Sequence, residues 1–458
     1  MLPWIVAVAS LWLLAPSAHA GESPTTREIQ AAVDAYLADS SQNAQLVGGA
    51  SNAGYHHGFE LKGGDFSLKL NMLFQARYEA WRWDDDQKPI DAGFGGGTTT
   101  SGFSIPRSAV MLSGTAPCAM SWFVELEFGH FGHDAIHARH VVATQLGPLE
   151  HSLNHDTLRE AWIQWSPSEA FQVRLGQIRT ATTRQAMVSV EQQQFVDVSM
   201  ATVFMLWVMP GFADRNRDHG VGFHGAFGCD NAWSYLFTVT NGDGGDSIRN
   251  VIDQRTSDNV AFSGRLNWAF LAPIGYEEGA LRQETCRWYG ELGAWGYAYA
   301  DRDDAPHTQI TDAWRGGLDL ALGHGPWSFT GAFNLTSDEN GAGDTMESVS
   351  YTAQFGYHVP RTAWEVAARW SVYDVDRDAG FTAGAALGSG AVQEFAVAVN
   401  YYLRGHHHKL TLDATWTEGL DDGASLILGP GAPGSSGATG TGKGTYGVLV
   451  RLQWQLAL

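Results

Sequence analysis

From Asp65 onward, apolar and polar residues alternate with a period of two. Phe66, Leu68, Leu70, Met72, Phe74, Ala76 and Tyr78 share one face; Ser67, Lys69, Asn71, Leu73, Gln75, Arg77 and Glu79 share the other. This pattern predicts a strand with one apolar and one polar face. The strand is also longer than the usual globular strand of about five or six residues. The end of the chain repeats the pattern: Tyr446, Val448, Val450, Leu452, Trp454, Leu456 and Leu458 alternate with Gly447, Leu449, Arg451, Gln453, Gln455 and Ala457. Between these two segments, fourteen further strands are expected near residues 105–114, 122–128, 158–165, 171–177, 220–227, 232–240, 260–270, 287–299, 313–322, 327–335, 349–359, 363–373, 392–403 and 409–417.

The connections fall into two kinds. Residues 115–121, 166–170, 228–231, 323–326, 360–362 and 404–408 are short. Residues 84–102, 129–157, 178–219, 241–259, 301–312, 336–348, 374–391 and 418–445 are long, and the two kinds alternate. Only 271–286 breaks the rule, being long at a short-turn position. An up-and-down barrel places every second connection at the same end, and outer-membrane barrels have short periplasmic turns and long external loops. The fold expected is therefore all-β: a transmembrane antiparallel up-and-down barrel of about sixteen strands over residues 65–458, preceded by a short N-terminal helix. Closure pairs every edge and leaves no irregular backbone facing lipid. A soluble sandwich or propeller would also alternate, but it would not explain such long strands with aromatic residues gathered on one face.

Residues 1–20 read as a signal peptide: an apolar stretch, Pro16, then Ala18-His19-Ala20 as the cleavage site. Residues 21–64 are expected to form a periplasmic segment, with a short helix over 24–39 capped by Thr25 or Thr26 and a polar linker over 40–58. The chain is thus expected to be exported to the outer membrane.

Composition sharpens the picture. Charged residues are only 17% of the chain, below the roughly one quarter usual for soluble domains, and there are 54 glycines and 18 tryptophans. The net charge of −21 argues against nucleic acid as a partner. Cys118, Cys229 and Cys286 form no metal-binding spacing, and their odd number excludes a complete disulfide framework; one pair could still bridge.

Several segments resemble the phosphate-selective porin O and P family. These are Phe103-Ser104-Ile105-Pro106-Arg107-Ser108-Ala109, and Leu158-Arg159-Glu160-Ala161-Trp162-Ile163-Gln164-Trp165 leading into Val173-Arg174-Leu175-Gly176-Gln177. Asp218-His219-Gly220-Val221-Gly222-Phe223-His224-Gly225 and Val399-Asn400-Tyr401-Tyr402-Leu403 add to them, as does Val450-Arg451-Leu452-Gln453 at the end. The resemblance implies a sixteen-stranded porin, usually trimeric, with inward-folded loops narrowing the pore and basic residues guiding anions. It departs at Pro106, which stands where the family has the first of two arginines, and in its few lysines.

Sixteen strands are enough to enclose an aqueous channel for ions and small solutes. The candidate pore-lining, anion-guiding residues are Arg77, Arg107, Arg174, Arg265, Arg369 and Arg451 on polar strand faces, with Arg179 and Arg184 in the long connection 178–219. The other reading of these arginines is that they balance Glu79, Glu125, Glu127, Glu160 and Glu365 across the lumen. The 178–219 segment is the candidate constriction, and its apolar run 203–209 should fold into the lumen or meet a neighbouring subunit. His406-His407-His408 reads as a solvated turn, while His130, His133, His137 and His140 offer a looser cluster. No metal or cofactor is expected. No GxSxG, HExxH or phosphate-binding loop is present, so a barrel hydrolase or a soluble secreted binding protein stands only as an alternative.

Overall fold

The computed structural model describes residues 51–55, 58–83, 99–129, 158–207, 216–242, 260–281, 287–300, 310–378, 389–421, 425–426, 440–441, 444 and 446–458. The expected N-terminal signal and helix, the His130–His140 cluster and Cys286 lie outside them. Sixteen barrel strands follow in order: β1 (Phe66–Trp83), β2 (Thr99–Ala116), β3 (Met120–Glu127), β4 (Leu158–Ser168), β5 (Phe171–Arg179), β6 (Arg217–Phe227), β7 (Trp233–Thr240) and β8 (Val260–Ala269). They continue with β9 (Trp288–Ala300), β10 (Ile310–His324), β11 (Trp327–Asn340), β12 (Thr345–His358), β13 (Trp364–Arg377), β14 (Gly390–Arg404), β15 (His408–Gly419) and β16 (Tyr446–Ala457). Each pairs antiparallel with the next. β16 then pairs with β1, from Gly447 opposite Trp83 to Ala457 opposite Leu73, and closes the cylinder.

The alternation read from the sequence is the alternation of the wall. On β8, Phe262, Leu266 and Trp268 are exposed on the lipid side while Ala261, Ser263, Arg265 and Asn267 are buried toward the lumen. On β16, Leu452 and Trp454 face out while Leu449, Arg451, Gln453 and Gln455 are buried. Outward aromatics crowd the short-turn end, where Phe227, Trp233 and Trp268 stack in a row and Trp327 lies against Tyr357, as Trp364 does against Tyr401. Such a girdle belongs at the interface between hydrocarbon and water.

Three features differ from the sequence reading. The connection expected to be long over 336–348 is a turn of four residues, 341–344, because polar inward residues keep β11 and β12 paired to their tips. Asn340 holds that turn, its Oδ1 accepting from the N–H groups of Ala342 and Asp344 at 2.9 Å each. Part of the expected linker is a hairpin, Ser51–Tyr55 with Phe59–Gly63, whose second strand pairs with β1 beyond the reach of β16. Pro106 sits in a bulge of β2, where Gln75 opposes Arg107 but Arg77 opposes Ser104, and a missing N–H costs nothing there.

β16 is hydrogen-bonded on both sides, so its loss would open two edges in hydrocarbon. Deleting residues 446–458 should abolish assembly, whereas the intact chain should migrate faster on SDS gels unheated than boiled. A truncated chain that still shows heat-dependent migration would contradict the closure described here.

Candidate functional site

A segment crossing a barrel lumen has no neighbouring strand to satisfy its backbone, so the wall must do it. Residues 180–207 are such a segment. The chain leaves β5, turns through α1 (Arg184–Met187) and reaches the far wall at 190–197. It continues as α2 (Met200–Trp207) inside the barrel. Wall carboxylates accept its N–H groups: Asp319 takes that of Arg184 at 3.0 Å, Asp413 that of Val196 at 3.1 Å and Glu394 that of Met200 at 2.9 Å. Wall cations donate to its carbonyls: Arg265 to Thr182 at 2.9 Å, Lys409 to Gln193 at 2.5 Å, Arg369 to Asp197 at 2.9 Å and Arg315 to Met205 at 2.5 Å.

Asp197 is the main anchor. Its carboxylate lies 2.7 Å from Arg451, 3.2 Å from Arg77 and 3.9 Å from Arg107, drawing β16, β1 and β2 onto one loop residue. Beyond it, α2 buries Val203, Phe204 and Met205 against Trp295, Tyr297, Tyr299, Met346, Tyr373 and Leu449, with Phe204 edge-on to Tyr373 at 5.3 Å. The apolar run at 203–205 is therefore covered inside the barrel and does not serve as a subunit contact, which removes one sequence-based reason for expecting a trimer.

The irregular stretch 270–281 that follows β8 enters from the opposite end and meets this loop. The Glu278 N–H donates to the Gln192 carbonyl at 3.2 Å, and its carboxylate accepts from the Gln194 N–H at 2.8 Å and from Gln354 at 3.0 Å. The Tyr276 hydroxyl accepts from Arg265 and Asn267 at 2.9 Å each. Arg184 donates to the carbonyl of Gly275. Glu365 accepts from the Ala280 N–H at 2.7 Å and from Gln194 at 2.9 Å. Gly279 has a φ of +88°, and a Cβ there would press on the Glu365 carboxylate at 3.0 Å, so glycine is required. His406 is buried with Nε2 at 3.1 Å from the Glu278 carbonyl, and His408 meets the Trp454 indole. His406 is thus packed in place, unlike the solvated turn expected, while His407 is exposed as expected and His408 is half-exposed.

The sequence-derived arginines are placed as follows. Arg77 pairs with Glu79 at 2.7 Å, Arg179 with Glu160 at 3.2 Å, Arg184 with Glu291 at 3.4 Å, Arg265 with Asp319 at 2.6 Å, Arg369 with Glu394 at 2.7 Å and Arg451 with Asp413 at 2.7 Å. Arg107 reaches Asp197 and Gln75. Arg174 lies over Trp162. Of the glutamates set against them, Glu125 and Glu127 lie beside Arg159, and Glu160 bonds Arg217 at 2.7 Å. Arg159, Arg217, Asp197, Glu278 and Tyr276 were not singled out from the sequence. The clue was the anomalous length of 271–286, but most of its partners lie 76 to 128 residues away.

The filling is one-sided. Gln354, Glu365, Asn400 and Lys409 on β12–β15 are buried beneath the two segments. Across the barrel Phe123, Trp162, Gln172, Arg174 and His224 on β3–β6 remain half-exposed. Among the described residues no three His, Cys, Asp or Glu gather as a metal site. Cys118 and Cys229 are free and exposed.

The family model for phosphate-selective porin O and P matches residues 74–423. No curated protein matches the sequence. Among solved structures, an anion-selective porin from Comamonas acidovorans superposes with a TM-score of 0.55 at 14% identity, covering 86% of this chain and 100% of that one. The outer-membrane channel DcaP of Acinetobacter baumannii gives 0.48 at 11% identity, covering 85% and 97%.

Replacing Asp197 with Asn should take a carboxylate from three buried guanidiniums at once, leaving Arg77 to Glu79 and Arg451 to Asp413. Removing one partner of a buried ion pair costs about 3–5 kcal/mol, so unfolding in urea should shift to lower concentration. Single-channel recordings should show a larger, noisier conductance as the loop loosens. An Asp197→Asn channel with wild-type conductance and stability would remove this residue from its anchoring role.

Proposed function

Because the chain belongs to the phosphate-selective porin O and P family, and so is an outer-membrane porin forming a water-filled channel, we propose that it passes small solutes with a weak preference for anions and without selecting phosphate. The observation carrying this is the asymmetry of exposed charge. Carboxylates on the filled side, Asp319, Glu365, Glu394 and Asp413, are buried and occupied by loop N–H groups or neighbouring cations. On the open side Arg174 is half-exposed with no carboxylate within 4.0 Å among the described residues, and Arg179 is half-exposed beside its partner Glu160. A passing solute therefore meets guanidinium before carboxylate.

The net charge of −21 does not oppose this reading. Charges farther than about 8 Å are screened at physiological ionic strength, while those in a narrow, low-dielectric lumen are screened less. The chain works as a channel rather than an enzyme. It is exported through its N-terminal signal peptide, and it assembles as a homotrimer, the usual state of the family it belongs to.

In planar bilayers under a KCl gradient, the reversal potential should lie modestly on the chloride side and change little when phosphate is added. A strongly cation-selective current would refute the proposal. Cross-linking in mild detergent should yield trimer; monomer alone would remove the assembly and leave the channel reading intact.

A further inference from the structure

We propose that Arg174, held on the Trp162 ring and oriented by Gln164, is the residue that sets the channel's preference for anions; this rests on the reading of the lumen as a conducting path. Seven of the eight lumenal arginines singled out above have a carboxylate oxygen within 4.0 Å. Their charge is neutralised where it stands, and most of them hold the loop. Arg174 has no such partner among the described residues.

What holds Arg174 instead is neutral. Its Nε and Nη2 both donate to Gln164 Oε1, at 3.0 and 2.8 Å. Its Cζ lies 4.0 Å from the centroid of the Trp162 ring, which itself stacks on Phe123 at 5.4 Å. The orientation of Gln164 is fixed by its other end, where Nε2 donates to Gln172 Oε1 at 2.8 Å and Ser166 Oγ at 2.9 Å. Only the carbonyl oxygen of Gln164 can then face the guanidinium. Nη1 donates to no protein partner among the described residues, and the side chain is half-exposed. The planar, permanently charged guanidinium stacks on an aromatic ring and still presents its free edge. A fixed cation with an unspent N–H edge on the open side of the lumen is a transient site for one small anion. Chloride or a carboxylate would bind there too weakly to be trapped.

The test is the chloride-to-potassium permeability ratio from reversal potentials under a KCl gradient. Arg174→Gln should lower it about fivefold, the factor a unit charge exerts at about 4 Å in water, with conductance nearly unchanged. Gln164→Glu keeps the arginine but supplies the missing counter-charge, and it should lower the ratio similarly. Arg174→Lys keeps the charge and should retain most of the preference. Heat-dependent gel migration verifies that each variant is folded. A wild-type ratio in folded Arg174→Gln or Gln164→Glu would overturn the assignment while the porin reading stands. An equal fall in Arg184→Gln would also overturn it, by showing that the preference is shared. A wild-type barrel without ion current would fell the conducting path itself.

Discussion

Everything inside this barrel depends on one requirement: backbone that crosses a lumen must find hydrogen-bond partners that are not a neighbouring strand. The strands satisfy one another completely around the cylinder, so the wall's inward side chains are left to serve the crossing segments. Carboxylates at Asp319, Asp413 and Glu394 receive N–H groups, and cations at Arg265, Arg315, Arg369 and Lys409 cap carbonyls. Each charged wall residue that also has a charged neighbour, as Arg265 has Asp319, is held by both. Leaving either partner alone in the packed interior would cost far more than the pair contributes.

The loop and the long turn solve this problem jointly. Gln192 and Gln194 on one segment meet Glu278 on the other, and Glu365 binds backbone of the turn and side chain of the loop together. Neither segment could be removed without exposing polar groups of the other. The constriction is therefore built from both ends of the barrel, and it leans on β8–β16 and on β1 and β2. The apolar helix Met200–Trp207 completes that side with a small hydrophobic core of its own, set against inward aromatics such as Tyr297 and Tyr373. Water is excluded there, and the open path runs beside β3–β6.

The cylinder was legible in the sequence because its cause is local: a period of two records which face meets lipid, and Phe262, Arg265 and Leu452 fall where that period places them. The position of the constriction was legible too, since a segment as apolar as 203–205 in a long loop cannot remain in water. Its partners were not. Asp197 carries no local signal, and its meaning comes from Arg77, Arg107 and Arg451, which lie on strands brought together only by closure. The same holds for the turn at 341–344, where inward polar residues at the strand tips look like loop until the facing strand is known.

The arginines show why residue type on the polar face does not by itself give function. Eight guanidiniums aligned without counter-charges would form a deep well for anions, and a channel conducts only if an ion can leave as readily as it enters. Here most of that charge is cancelled in the act of holding the loop, as at Arg451, which touches both Asp413 and Asp197. What remains toward water is small, and it stands on a neutral platform of Trp162 and Gln164. Structural anchoring thus lowers the field along the path, and a chain rich in acidic residues can still favour anions slightly without trapping them.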